Sequence, residues 1–540
     1  MHIFKSRTFL VCTAIAIVAF AYTAWYRSDS VYQQFDRGIP DDASYYLQPA
    51  LNFVTGYGSS FDGVNPTNGY QPLWFGTLVA FLKFLPLGQM SLSDIWYAAL
   101  LLQAAIAGAF TACFCYFLNR FTQSPALAVL FGFAPILLIP DRILNLLETP
   151  LQLLILSIVL IQLFNLLERP AYEDFRERLL LLGISVGLLF LARTDGIFML
   201  PALLLPFWIK FRRNLRRLSW FAVPVLVIMG GYMALNYLHF GVLMPVSGAV
   251  KLDSFYRVLV QHPGWDFVLE KLRFIFGPYE IGNPPVKILI QLFAFLTPLY
   301  LIVRQVRGRI LSNRQLILLG LGTFLLLKYL AYTTIYHNWR ANSYWYWVVD
   351  VVIWVVIAAA VARYYLARSK GADYGAIGRR TVPVVMGLAI IASVVIGSGT
   401  RAREPVKPVR DTSVLLDLAD FVASHEYFAD KKLGAYNAGI LGYFGGRQLA
   451  NLDGLVNSPE FARLITAGRR DAYIQENIDI LVEYHGAYVP YYTGLGFSLY
   501  NVRAYINDPV PYDPESGNDY RIYVRPELRA DFASFLQSIK

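Results

Sequence analysis

Eleven apolar runs organise most of the chain, at residues 8–26, 95–118, 125–140, 149–167, 179–192, 196–209, 219–238, 286–303, 315–333, 344–366 and 381–398. Hydrocarbon offers no partner for a backbone N–H or C=O, so runs approaching about 20 residues read as membrane-spanning helices. Composition agrees: 56% of residues are hydrophobic and 16% charged, where soluble domains carry about 25% charged residues. These features predict a polytopic α-helical membrane protein with about 11 transmembrane helices. The N-terminal Lys5 and Arg7, followed by an apolar run to Trp25, have the charge pattern of a signal sequence. It reads as an uncleaved anchor, because the polytopic body needs a first span. Cys12, Cys113 and Cys115 all lie within apolar runs, which gives neither a disulfide framework nor a cysteine metal site.

One further run, Pro72 to Pro86, leaves room between its prolines for about 13 residues, or roughly 20 Å of helix against a core of about 30 Å. Charge decides how to read it. If it does not cross, the gaps Asn119–Ser124, Glu168–Arg178, Lys210–Arg217, Arg304–Arg314 and Arg363–Arg380 fall on the cytoplasmic side. They hold the densest basic clusters, as the positive-inside rule requires. The segment is therefore expected to be re-entrant or interfacial, with the N-terminus inside and the C-terminus outside. The formal net charge of +10 is concentrated in these gaps, where it serves orientation and contact with anionic lipid. No nucleic-acid partner is expected, since no soluble basic patch forms.

After about Thr400 the chain turns charged and rich in Tyr and Gly, with helical spacing at Asp411–Ala423 and Pro459–Asn477. Strand-like runs occupy Lys432–Tyr436, Gln448–Leu452 and Ile478–Tyr484. Residues 401–540 are expected to form a soluble, extracytoplasmic α/β domain. Its GYFGG at 442–446 lacks the spacing and lysine of a P-loop and reads as turn glycines.

The same orientation gathers ionisable residues on the outer face, close to span ends where they are costly and functional by default. Asp41 and Asp42 open the first outer loop, residues 27–94. One Asp suffices as a helix cap; two adjacent ones suit a general base with a raised pKa, or ligands to a divalent cation. A phosphate leaving group needs nearby positive charge. The candidates for binding donor phosphate or substrate are Lys251, Arg193, Arg142, Glu148, His337 and Arg340. Tyr45, Tyr46, Tyr57, Phe61, Tyr70 and Trp74 suit either sugar stacking or an interfacial belt.

With these residues the sequence resembles the GT-C superfamily of polyprenyl-phosphate-sugar-dependent glycosyltransferases, and within it the bacterial arabinofuranosyltransferases and related enzymes. The resemblance rests on the Asp41-Asp42 pair, on Asn52, Gly56 and Gly58, and on the Gly69–Trp74 stretch. Glu148–Leu151, Ala192–Gly196 and Pro245–Lys251 extend it over residues 1–400. It implies a GT-C-like fold, Asp41 as catalytic base, Asp42 as its supporting or metal-binding neighbour, and a juxtamembrane helix at 72–86. Pro49, in the helix after the pair, departs from the pattern. Metal dependence varies within the superfamily, so the cofactor stays open, with a divalent cation on Asp41 and Asp42 as the candidate.

The expected function is transfer of a sugar from a polyprenyl-phosphate donor to a glycan, lipid or protein acceptor, at the outer face of the inner (cytoplasmic) membrane. A lipid-linked sugar flippase and a non-catalytic envelope assembly protein are the alternatives. The first predicts an internal repeat with broken helices, and the sequence shows none. The second has no use for a carboxylate pair beside a basic partner.

Overall fold

The computed structural model describes residues 7–36, 38–168, 175–211, 218–251, 299–304, 310–335, 344–368, 414–506 and 518–540, together with positions 296, 307 and 308. The expected span 381–398, most of 286–303, and His337 and Arg340 lie outside the described residues.

The helical body contains α1 (Arg7–Tyr26), α2 (Val31–Asp36), α3 (Ser44–Val54), α4 (Pro72–Leu82), α5 (Leu92–Thr122), α6 (Pro125–Leu138), α7 (Pro140–Ile143) and α8 (Thr149–Glu168). It continues through α9 (Phe175–Ala192), α10 (Met199–Phe211), α11 (Ser219–Phe240), α12 (Asn313–Ile335) and α13 (Val348–Arg368). Six helices among the described residues are long and apolar enough to cross a membrane; this is a membrane protein. α4 has 11 residues, about 16 Å of helix, which is too short to cross. A continuous apolar core links α5, α6, α8, α9, α10, α12 and α13.

The C-terminal region begins at α14 (Val414–Ser424) and alternates β1 (Leu433–Ala435), α15 (Ala438–Phe444), β2 (Leu449–Asn451), α16 (Pro459–Thr466), α17 (Arg470–Asn477) and β3 (Ile480–His485). Then come α18 (Val489–Gly494), β4 (Ser498–Asn501), β5 (Asn518–Val524) and α19 (Arg529–Ser538). The five strands form one mixed sheet in the order β2-β1-β3-β5-β4. β1 pairs parallel with both β2 and β3, with Leu433 opposite Leu449 and Ile480. β5 runs antiparallel to β3 and β4. The single helix expected over Pro459–Asn477 is two, divided at Gly468 with φ +69°.

The sheet does not stand apart from the membrane part. One apolar core joins the loop between α1 and α5 (Phe35, Tyr45, Phe61, Trp74), the start of α5 (Trp96) and the C-terminal region (Leu441, Tyr443). Tyr443 donates to the Leu92 carbonyl at 2.9 Å. Gly442, expected in a turn, lies inside α15; a Cβ there would stand 2.5 Å from the Phe61 ring. Close packing, rather than turn geometry, explains that glycine.

Candidate active site

The loop between α1 and α5 turns directly after Pro40 into a short 3₁₀ turn, Asp41–Ala43, and then α3. α3 continues through Pro49, which removes one helical N–H without ending the helix. Asn52 fixes the glycine-rich stretch that follows by donating to the carbonyls of Ser60 and Phe61, at 2.9 and 3.1 Å. The two carboxylates at the head of this loop then diverge.

Asp41 points into the C-terminal region. Its two oxygens accept the backbone N–H groups of Gly439 (2.9 Å) and Ile440 (2.6 Å). These are orphan donors in the first turn of α15, which has no cap from its own Asn437. Asp41 therefore caps a helix nearly 400 residues downstream. In open α/β sheets the crevice beyond the carboxyl ends of the strands normally receives ligands, where the strand order reverses. In this sheet the reversal lies at β1, and a carboxylate of the same chain fills the turn after it. Gly439 permits the approach: a Cβ there would stand 2.8 Å from the Asp41 carboxylate. Beside it, Tyr45 donates to Asp453 at 3.0 Å, and Asp453 also accepts the Leu455 N–H at 2.7 Å. Burial pushes Asp41 up to about 7, against the two backbone donors and with help from Asp42 and Asp453. Asp453 is likewise pushed up to about 7, chiefly by burial.

Asp42 has a different set of neighbours. It is half-buried, and its carboxylate has no hydrogen-bond or ion-pair partner among the described residues. Burial raises its pKa, while Lys251 pulls it down and Glu148 adds to the rise. Lys251 donates to the Tyr346 hydroxyl at 2.6 Å. The Tyr346 ring in turn lies under the Arg193 guanidinium, 4.5 Å from its centroid.

Arg193 is the centre of a buried network. It pairs with Glu148 and Asp195, the latter at 3.3 Å, and meets the Tyr332 hydroxyl at 3.2 Å. Tyr332 donates to Asp195 at 2.9 Å, and Gln152 does so at 3.2 Å. Lys328 pairs with Asp350 at 2.6 Å alongside. Buried charges persist when paired and hydrogen-bonded in this way. Arg193 is thus already bonded on several sides, whereas Lys251 is the cation that acts on Asp42.

An irregular stretch between α7 and α8 presents Glu148. Leu146 sits at φ +60°, a conformation that costs a branched residue of order 1–3 kcal/mol and persists only where its surroundings impose it. Buried Gln103 accepts the Leu146 N–H at 2.9 Å and donates to the Leu147 carbonyl at 2.7 Å. Trp74 donates to the Leu146 carbonyl at 2.9 Å, and Arg27 to that of Leu144 at 2.7 Å.

The structure thus brings Asp42, Lys251, Glu148 and Arg193 to one place. Arg142 is half-buried on α7, which packs against the turn Tyr344–Trp347. Of the six aromatics, Tyr45, Tyr46, Phe61, Tyr70 and Trp74 are buried in packing, and only Tyr57 is largely exposed. Sequence alone does not single out Tyr346, Tyr332 or Asp453. Lys328 is the lone charge inside its apolar run and Asp350 shares its run with only one other, Arg363, and that is the signal by which they could be found. No group of three or more His, Cys, Asp or Glu among the described residues could hold a metal, and each Asp41 oxygen already accepts a backbone N–H. These residues do not by themselves build a cation site.

Similarity to solved architectures decides the fold. The Archaeoglobus fulgidus oligosaccharyltransferase, in a crystal structure with Zn and sulfate, matches 90% of this chain and 69% of its own at TM-score 0.54 and 12% identity. The same organism's oligosaccharyltransferase AglB, in complex with an inhibitory peptide and a dolichol-phosphate, matches 94% of this chain and 74% of its own at TM-score 0.50 and 12% identity. The fold is GT-C-like. ArnT from Cupriavidus metallidurans, bound to undecaprenyl phosphate, matches 95% of this chain and 97% of its own at 15% identity, but its TM-score of 0.43 is too low to carry weight. No family model and no curated protein matches the sequence. Within the GT-C-like fold, the Asp42 site sits where the helical body meets the C-terminal sheet.

Proposed function

We propose that this chain is a membrane glycosyltransferase that takes a sugar from a polyprenyl-phosphate-linked donor, with Asp42 as the general base. The observation that carries the reading is Asp42 itself: a half-buried carboxylate without a hydrogen-bond partner among the described residues, raised by burial, and facing Lys251. A raised carboxylate is better matched to taking a proton from a hydroxyl near neutral pH. The acceptor hydroxyl gives its proton to Asp42, and its oxygen bonds to the anomeric carbon. The bond from that carbon to the phosphate oxygen breaks, and the polyprenyl phosphate leaves with the electron pair. Lys251 stabilises the charge that develops on it. A single displacement inverts the anomeric centre.

In this reading Asp41 is a positioning residue, which holds the C-terminal sheet against the loop that carries Asp42. Glu148 and Arg193 position Tyr346, and through it Lys251. The site faces the extracytoplasmic side of the inner membrane, as the distribution of basic gaps favours. The dolichol-phosphate in the AglB complex supports a lipid-linked donor for this fold.

The test is sugar release from a panel of polyprenyl-phosphate sugars by the full chain in lipid nanodiscs, compared with Asp42→Asn. Turnover of one donor, reduced by about 10²–10⁴-fold in the variant, is expected. Equal turnover by both proteins would refute the assignment.

A further inference from the structure

Asp42 and Lys251 lie far apart in the chain, yet the proposed chemistry needs a fixed separation between them. A short connection leads from α11 to Lys251. Gly241 ends α11 at φ +67°, and residues 246–251 are helical again. Pro245 precedes this turn and accepts the Gly248 N–H at 2.9 Å. A helix start leaves its first N–H groups without partners of its own, and a proline has no side-chain oxygen to cap them. The Val246 N–H is met from elsewhere: Asn68 Oδ1 accepts it at 3.0 Å. The same amide donates from Nδ2 to the Met244 carbonyl at 3.4 Å. Asn68 thus holds the backbone on both sides of Pro245, and both Asn68 and Val246 are buried.

Asn68 is itself tied to the element that carries Asp42. Its neighbour Thr67 donates its N–H to the Ser59 carbonyl at 2.8 Å, and the Ser59 hydroxyl donates back to the Thr67 carbonyl at 2.6 Å. Asn52 on α3 binds the adjoining Ser60 and Phe61 carbonyls, and α3 follows directly on the turn that holds Asp42. The C-terminal region closes the other side. Thr67 Oγ1 donates to the Asn457 carbonyl at 2.9 Å, and Gly69 passes so close to Leu455 that a Cβ there would collide with its carbonyl oxygen. Groups that must sit within about 0.5 Å of a productive geometry are held by neighbours locked in this way.

We infer that Asn68 is a positioning residue for the reaction: it sets the Lys251 ammonium against Asp42 by clamping the backbone around Pro245. The inference rests on the chemical role proposed for Lys251. The contacts run from α3 through Asn52 and residues 59–67 to Asn68, then through Val246 to Lys251 and its hydroxyl partner Tyr346. With Asn68 shortened, Lys251 keeps its charge and loses its place. Misplacement by about 1 Å at a reacting centre costs about 10²-fold in rate.

The experiment is a double-mutant cycle on the full chain in lipid nanodiscs, with the polyprenyl-phosphate sugar that the wild type turns over. It is read by single-turnover sugar release and, separately, by the rate at which acetic anhydride acetylates Lys251, followed by peptide mass spectrometry. Asn68→Ala should lower release by about 10²-fold. In a Lys251→Gln background it should lower release by no more than about twofold, because an effect exerted through Lys251 is non-additive with its loss. Acetylation of Lys251 should rise about tenfold, as one released hydrogen bond allows. Val246→Pro removes the same bond from the other partner, at a first helical position where proline is tolerated. It should raise acetylation equally, so it decides the matter if Asn68→Ala is not monodisperse. Equal losses of release in both backgrounds, or acetylation unchanged in both variants, would overturn the inference. Release intact in Lys251→Gln alone would refute the chemical role of Lys251, whereas faster acetylation in Asn68→Ala would still uphold Asn68 as its support.

Discussion

Asp41 gives both its oxygens to backbone donors of the C-terminal region, whereas Asp42, one residue on, gives its own to none among the described residues and faces Lys251. Around Asp41 the interactions are backbone clasps, glycine contacts and a tyrosine–carboxylate bond, and they join two parts of the chain. Around Asp42 lies a buried ion network that shapes one end of the helical body. In the proposed reading, adjacent residues of one chemical type divide between holding the molecule together and acting on a substrate, and only their surroundings distinguish them.

The largest expected effect is on the ion network. Arg193→Met leaves Glu148 and Asp195 buried without their common cation, which should destabilise the protein by ~3–5 kcal/mol in thermal unfolding followed in detergent. A stable Arg193→Met protein would remove Arg193 from the centre of that region. Next is Lys251→Gln, which should lower sugar release by about 10²–10³-fold while unfolding changes little. If stability fell and turnover did not, Lys251 would belong with the structural group.

Smaller effects test the Asp41 side. Gly439→Ala forces a methyl against the Asp41 carboxylate and should weaken docking by ~1–3 kcal/mol, seen as faster proteolysis of the C-terminal region with the helical body intact. The mildest is pH. Asp41 and Asp453 lie near 7 in the fold against an ordinary 3.8, so the folded state holds their protons more tightly than the unfolded one. That contribution is fully present below about pH 4 and is lost as pH rises through about 7. Hydrogen-exchange protection of the Ile440 amide, corrected for intrinsic rate, should fall between about pH 5 and about pH 8, and Asp41→Asn should flatten the trend.

Much of the helical body was legible because hydrophobic runs and helices obey the same length rule in a bilayer. The expected run 95–118 is α5, 219–238 is α11, and the short 72–86 segment contains α4. Asp42, Glu148, Arg193 and Lys251 stood out because charge beside an apolar run is rare. The clasp on Asp41 was not legible, because its partners are backbone amides at Gly439 and Ile440 and no side-chain pattern announces them. Tyr346 and Tyr332 were hidden for another reason: an aromatic at a span end looks the same whether it anchors lipid or stacks on a guanidinium. Strands β4 and β5 escaped because four- and seven-residue strands with charged neighbours carry little alternation.

The most direct test of the division between the carboxylates is single-turnover sugar transfer by Asp41→Asn and Asp42→Asn, measured side by side in nanodiscs on the donor the wild type uses. Asp42→Asn should lose about 10²–10⁴-fold with its C-terminal region still docked, while Asp41→Asn keeps measurable chemistry and loosens that region. If Asp41→Asn instead abolished transfer with docking unchanged, and Asp42→Asn turned over normally, Asp41 would be the base and Asp42 the positioning residue.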